Sequence, residues 1–356
     1  MKAALWYGQK DVRVEEVEMP KAKKGEVLIK VKWCGICGTD LHEYLAGPIF
    51  IPTEPHPTSG VKAPVILGHE FSGEVIELGE GVTHLAIGDA VVVEPLLGGD
   101  DWYTRRGENQ LSDTLAFHGL QDTGGGFAEY TSFRADRVKK LPEGVSYEMG
   151  ALVEPMAVAL HALEMGEFKA KQTAVVVGAG PIGLGIIENL KACGARRVIA
   201  VELSEARKTK AKVAGADFVF DPREVDIVSE VKKLTNGLGA DISFEVTGVQ
   251  PGLETAMGSI RKQGTCVVVA IWETEAKMNL FDVVMSEKKV VGIVCYNEGT
   301  FETIAQYMAD GRIKATNYAT SRIHLDDLVE KGFGALTGPD REKEVKVLVT
   351  PDKSLI

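Results

Sequence analysis

The sequence predicts an α/β protein in two parts. A β-rich domain takes residues 1–153 and 297–356, and a doubly wound parallel-sheet domain takes residues 154–296. Three observations predict this. Short β-branched runs crowd the first ~150 residues with no long helix between them. Beyond them, apolar strands alternate with helices. The first of those strands runs into a glycine-rich turn that opens a helix. The 356 residues also suit two domains on a prior of about 150 each.

The early runs are EVLIKVKW (26–33), SGEVIELG (72–79) and AVVVEP (90–95), each bounded by glycine, proline or charge. Their close spacing predicts a compact barrel or sandwich. Residues 96–126 are polar and glycine-rich without a period, and read as a long loop or lobe. TAVVVGAG (173–180) reads as a buried strand followed by the helix PIGLGIIENLKACG, and ARRVIAVE (195–202) as a second strand. DFVFD, ADISFEVTG and TCVVVAIW continue the alternation, so the sheet is parallel with crossover helices. In the tail, TFETIAQYMADGRI and HLDDLVEKGFGAL read as helices and EVKVLVTP as a strand, all returning to the first domain.

Composition excludes several classes. A net charge of −11 argues against a nucleic-acid partner, which needs a basic face, and against anionic lipid. The five cysteines are scattered and odd in number, which does not fit a secreted disulfide framework and places the chain in a reducing compartment. The charged start MKAALWYGQKDVRVEE is not a signal peptide, and no apolar run reaches membrane-span length. A cytoplasmic protein is expected.

The motif Gly178-Ala179-Gly180-Pro181-Ile182-Gly183 fits G-x-G-x-x-G in the strand–turn–helix context that makes it specific. Gly178 permits the tight turn, Gly180 admits a pyrophosphate and Gly183 lets helix and strand pack. The helix N-terminus offers free N–H groups to the phosphates. Glu202 ends the next strand, where a carboxylate accepts from ribose hydroxyls and repels a 2′-phosphate. Arg207 lies nearby and an arginine favours NADP, but the carboxylate weighs for NAD. The domain is therefore expected to be a Rossmann domain.

Cys34 and Cys37 form C-G-I-C. No βαβ unit surrounds them, so a thioredoxin-like pair fails on context, and no second C-x-x-C completes a four-cysteine site. His69 and Glu70 follow the apolar APVIL, and Glu154 lies in ALVEPMAVALHAL near the domain seam. One thiolate, one imidazole and one carboxylate with an open position make a catalytic zinc set. Residue chemistry alone leaves the carboxylate open among Glu154, Glu94 and Glu70. It also leaves His69 open as a hydrogen-bonded structural histidine.

Together, CGICGTDLHEY, GHEFSGEV, GGGFAEY and VVVGAGPIGLG resemble the zinc-dependent medium-chain alcohol dehydrogenases over the whole chain. The longer runs WCGICGTDLHEYLAGPIFIP, ALVEPMAVAL, FEVTGV and RIHLDDLVEKGFGAL are most similar to the (R,R)-2,3-butanediol dehydrogenase branch. The resemblance implies a GroES-like first domain. It implies Cys37, His69 and Glu154 as zinc ligands, with Glu70 beside the metal and able to approach it. Thr39 would touch the substrate hydroxyl, His42 would end a proton relay, and Asp40 would hydrogen-bond a ligand histidine. Cys34 would be a buried thiol, and Thr247 in FEVTGV would join the cofactor contacts.

The family's lobe often holds four cysteines around a second zinc. Residues 96–119 hold none, which implies one catalytic Zn2+ per subunit and no structural zinc. Expected partners are a small alcohol or ketone and further copies of the chain, as a homodimer or homotetramer. The expected reaction is NAD-linked oxidation of (R,R)-2,3-butanediol to acetoin and its reverse, reduction of acetoin or diacetyl. A polyol (sorbitol or xylitol) or L-threonine dehydrogenase is the alternative. A zinc-free reductase of this fold is disfavoured by Cys37 and His69, and a non-catalytic protein by Thr39, His42, Glu154 and Glu202. The segment 47–52 and Trp272 are candidates for pocket walls or for plain core.

Overall fold

A computed structural model describes residues 1–339 and 341–356. The chain folds as two compact units. One comprises Met1–Glu154, Asn297–Asp310 and Ala319–Ile356, and the other Pro155–Tyr296 with Gly311–Tyr318.

In the second unit six strands form one parallel sheet. Their order is Phe218–Phe220, Arg197–Val201, Thr173–Val177, Ala240–Glu245, Ile260–Val268, Lys289–Gly292. All five residues of Thr173–Val177 are buried, as an apolar strand covered on both faces must be. The winding runs outward one way from Thr173–Val177 and then restarts at Ala240–Glu245 in the other direction. The gap between these two strands is the topological switch point, where a doubly wound sheet binds its ligand beyond the strands' carboxyl ends. Val175, Val177, Ile199 and Val201 form the core with Val231, Leu253 and Ala256 from the helices.

Two assignments differ from the sequence expectation: Glu154 falls in the first unit, and residues 311–318 pack with the second unit rather than the first. Local chemistry explains the second. The Glu188 carboxylate accepts from the amides of Lys314 (3.0 Å) and Ala315 (3.1 Å), and the Tyr318 hydroxyl reaches the Met156 sulfur at 3.1 Å. Ile313, Ala315 and Tyr318 are all buried.

The first unit is built around the strand Glu26–Gly35. It pairs antiparallel with Glu70–Leu78, Tyr130–Arg134 and Lys346–Thr350. Val27, Ile29 and Val31 pack with Phe71, Val75, Phe127 and Phe133 in the core. The tail helix forms over Thr300–Ala309. The second expected tail helix does not form as one α-helix. Residues Leu325–Asp327 make a 3-10 turn, Leu328–Phe333 a π-helix and Gly334–Thr337 a short α-turn. The wider π turn lets Leu328 and Phe333, five residues apart, both face the core.

The cysteine-free 96–126 lobe has little regular structure of its own. Polar side chains order it. Asp101 accepts from the Ser112 hydroxyl (2.6 Å) and from the amides of Thr104 (2.9 Å) and Asp113 (2.9 Å). Those hydrogen bonds hold its carboxyl down at about 2. Thr58 and Thr114 share a hydroxyl contact at 2.9 Å, and Gln110 donates to Asn297 at 2.8 Å. His118, fully buried, sits between Asp122 (2.8 Å) and Thr131 (2.7 Å).

Candidate metal and cofactor sites

The strand Glu26–Gly35 ends two residues before Cys37, which is the N-cap of the helix Gly38–Ala46. The helix begins there because the Asp40 carboxylate accepts from the Cys37 amide at 2.9 Å, satisfying a donor that helix geometry leaves orphaned. Thr39 and His42 lie three residues apart on this helix, and the Cys37 thiol stands 3.7 Å from Thr39 Oγ1. Cys34 is different: it is wholly buried in the strand.

His69 is delivered by Gly68, whose φ of +94° suits glycine and whose added Cβ would fall 2.8 Å from the Cys34 sulfur. Glu70 then opens the strand Glu70–Leu78, opposite Gly35. A Cβ on Gly35 would lie 2.2 Å from Glu70 Oε2, so the carboxylate occupies the space that glycine vacates.

Cys37, His69 and Glu70 bring one donor atom each within 4.8 Å of one another. Thiol, imidazole and carboxylate are ligands that zinc takes, and at this spacing the residues fit such an ion. Two buried polar atoms beside the cluster, Asp40 Oδ1 and His69 Nδ1, are 3.7 Å apart and make no hydrogen bond. The carboxylate–histidine contact expected of Asp40 is thus near but not closed here. Burial pushes the Asp40 carboxyl up to about 6, against the pull of His69.

Glu154, the second residue of the helix Val153–Met165, is buried but falls outside the three-residue cluster. Burial raises its carboxyl to about 7, with the charge of Glu70 adding to the effect and His69 opposing it. Glu70 thus lies within 4.8 Å of the thiol and the imidazole, while Glu154 lies farther out but close enough for its charge to act on Cys37 and for His69 to act on it.

Lys346 is the residue that sequence reading missed. It starts the C-terminal strand, 2% exposed, and its ammonium donates to Glu70 Oε1 (2.8 Å), Glu70 Oε2 (2.6 Å) and the Ile36 carbonyl (3.0 Å). Burial alone would lower the ammonium, but the Glu70 charge outweighs it and holds Lys346 above the ordinary lysine value. The signal was weak: Lys346 is the one charge inside the apolar run VKVLV (345–349), and a charge buried in such a run needs a partner.

Glu43, one turn beyond Thr39, was also missed. Its buried carboxylate accepts from the amides of Ile49 (3.1 Å), Phe50 and Ile51 (3.2 Å). This fixes the 47–52 segment, of which Ile51 is core while Ile49 and Phe50 are exposed.

In the second unit, Gly178 turns at φ +100° after Thr173–Val177, and an added Cβ would meet Thr247 Cγ2 at 2.8 Å. Thr247 thus lies against the turn at the switch point. Gly180 caps the helix Pro181–Ala192, with Pro181 and Ile182 in its first turn, and a Cβ there would project into open space. A Cβ on Gly183 would strike the Gly178 carbonyl at 2.0 Å, so helix and turn pack as the motif requires. Glu202 is buried and accepts from the amides of Ala179 (2.8 Å), Leu203 (2.7 Å) and Ser204 (2.9 Å). Arg207 sits in the first turn of the helix Glu205–Val213.

Known proteins match both units. Residues 23–143 match the alcohol dehydrogenase GroES-like domain, and residues 181–310 match the zinc-binding dehydrogenase family. The (R,R)-butanediol dehydrogenase of Bacillus subtilis is 48% identical, covering 99% of this chain and 100% of the relative. That of Neisseria gonorrhoeae is 45% identical with the same coverage. The crystal structure of 2R,3R-butanediol dehydrogenase from Bacillus subtilis superimposes with a TM-score of 0.93 at 48% identity, covering 99% of each chain.

Proposed function

The chain belongs to the zinc-binding dehydrogenases with a GroES-like alcohol dehydrogenase domain and is an oxidoreductase; from this premise we propose that it interconverts (R,R)-2,3-butanediol and acetoin, and reduces diacetyl, with NAD as cofactor. The observation that carries the proposal is the thiol–imidazole–carboxylate cluster within 4.8 Å, its imidazole and carboxylate buried and its thiol partly exposed. The Bacillus relative, matched end to end, supports the substrate.

Cys37, His69 and a carboxylate would hold one zinc ion, with Glu154 as the family's third ligand and Glu70 within the same reach. When bound, zinc acts as a Lewis acid that makes an alcohol hydroxyl more acidic. NAD supplies the hydride acceptor. Thr39 orients the substrate hydroxyl, since its own hydroxyl both donates and accepts. His42, three residues on along the helix, takes the proton toward solvent. Asp40 holds the start of that helix through the Cys37 amide and faces the His69 ring. In the second unit, Gly178, Gly180, Pro181, Ile182 and Gly183 would cradle the pyrophosphate, and Arg207 and Thr247 would supply further cofactor contacts. Glu202 disfavours the extra phosphate of NADP.

His42→Ala should slow turnover about a hundredfold, the scale of one proton-transfer group. It should also shift the pH profile while zinc content holds. An unchanged profile would refute the relay. The reaction is tested by initial rates of NAD reduction with (2R,3R)-, meso- and (2S,3S)-butanediol, sorbitol, threonine and ethanol. Fast turnover confined to the R-containing butanediols is expected. Faster turnover of sorbitol or threonine would overturn the substrate.

The protein is also proposed to be a cytoplasmic homo-oligomer, a dimer or tetramer. No helix among the described residues is long and apolar enough to cross a membrane. The strand Lys289–Gly292 is an edge of the parallel sheet. Next to it in sequence, the helix Leu280–Met285 exposes Leu280, Phe281, Val284 and Met285, with Phe281 75% exposed. An apolar helix face and an open strand edge together favour a second copy. Phe281→Glu should lower the particle mass in sedimentation, and an unaltered mass would remove this helix from the interface.

A further inference from the structure

Glu245 is the last residue of the strand Ala240–Glu245 and is wholly buried. Its side chain joins two loops. Oε1 accepts from the Thr247 amide (2.7 Å), the Thr247 hydroxyl (2.5 Å) and the Gly248 amide (3.0 Å). Oε2 accepts from the indole N–H of Trp272 at 3.2 Å. The Glu245 carbonyl accepts from the amides of Val269 (2.9 Å) and Ala270 (3.3 Å). Space is reserved for this knot, since a Cβ on Gly252 would fall 2.1 Å from Thr247 Oγ1 and 3.0 Å from Glu245 Oε1.

The two loops, 246–249 and 269–272, follow adjacent strands at their carboxyl ends. They lie on one side of the switch point, and Glu202 lies on the other. A dinucleotide whose pyrophosphate meets the helix Pro181–Ala192 therefore has one half toward Glu202 and the other toward these loops. We propose that Glu245 is a positioning residue for the nicotinamide half of the cofactor, tying Thr247 and Trp272 into one preformed wall. This rests on the dinucleotide reading of Gly178–Gly183. Four donors converge on this side chain, and a carboxylate, which accepts at both oxygens, satisfies them all. A glutamine would set an N–H against another N–H. With the knot loosened, the loops must be ordered when the cofactor binds, and that ordering is subtracted from affinity.

The test is NADH titration by fluorescence, with NAD kinetics alongside, on the zinc-loaded protein. Glu245→Gln should raise the Kd for NADH about tenfold, the scale of one hydrogen bond to a charged group. Trp272→Phe removes a single donor from a half-buried ring. It should raise the Kd about threefold and carries the test if Glu245→Gln folds poorly. The double variant should bind no more weakly than Glu245→Gln alone, because Trp272 acts through Glu245. The KM for NAD should rise by a larger factor than kcat falls, whereas a loss of folded protein would lower kcat alone. NADH binding by Glu245→Gln within twofold of wild type would overturn the inference, as would full additivity in the double variant. Wild-type protein that binds no NADH would instead overturn the dinucleotide reading, and this inference with it.

Discussion

Replacing Cys37 by serine should leave the protein folded, nearly free of zinc and slower by at least about a thousandfold, since Lewis-acid stabilisation is worth several kcal/mol. Cys37 is the one thiol whose sulfur meets an imidazole and a carboxylate within 4.8 Å among the described residues. It is partly exposed at a helix start, so serine meets little steric resistance there. Cys34→Ser is the matched control. Cys34 lies in the same C-G-I-C motif but is sealed in the core, and burial raises its thiol above the ordinary range. That variant should lose stability and keep its metal. Metal content measured by atomic absorption on both proteins decides the matter. A Cys37→Ser protein with full zinc and activity would refute the ligand assignment.

Lys346→Met should destabilise the first unit by about 3–5 kcal/mol, because removing one partner leaves the other as an uncompensated buried charge. Both side chains are almost fully enclosed, at 2% and 1% exposure, and the ammonium makes both hydrogen bonds to Glu70 as well as one to the Ile36 carbonyl. The charge balance explains why a lysine is needed. Cys37, Asp40, Glu70 and Glu154 crowd four acidic groups into one buried region, and each of the Cys37, Asp40 and Glu154 pKa values is raised by burial with the Glu70 charge adding to it. The double variant Lys346→Met/Glu70→Gln should recover much of the loss, since no naked carboxylate remains. Urea unfolding of the three variants measures both effects. A Lys346→Met protein within about 1 kcal/mol of wild type would mean that the pair is not buried as described.

Much of the fold was legible because its signals are local. Thr173–Val177 is buried at every position and almost wholly apolar because helices cover both faces, and Gly178 to Gly183 follow it in the strand–turn–helix context that makes their spacing specific. Cys37, His69 and Glu70 also stood in short recognisable runs. What stayed hidden depends on distant partners. Lys346 is neutralised by a carboxylate 276 residues away, and Glu245 meets Trp272 across two loops. The 96–126 lobe shows no period because hydrogen bonds such as Gln110 to Asn297 hold it, rather than an amphipathic face. The segment 325–337 carries a helical pattern, yet tight packing at Gly332 against Ile36 and Ile323 favours a wider turn.

The short excursion of residues 311–318 into the second unit has a consequence for how the protein can be taken apart. The chain passes from one unit to the other after residues 154, 296, 310 and 318, so neither is a continuous stretch of sequence. A fragment ending at residue 296 would lack Ile313, Ala315 and Tyr318, which are buried in the second unit. The Glu188 carboxylate would also lose the two amides it accepts from. Limited proteolysis should therefore release no autonomous cofactor-binding piece. Recombination between relatives would have to exchange this eight-residue stitch together with the helices that carry Glu188 and Met156.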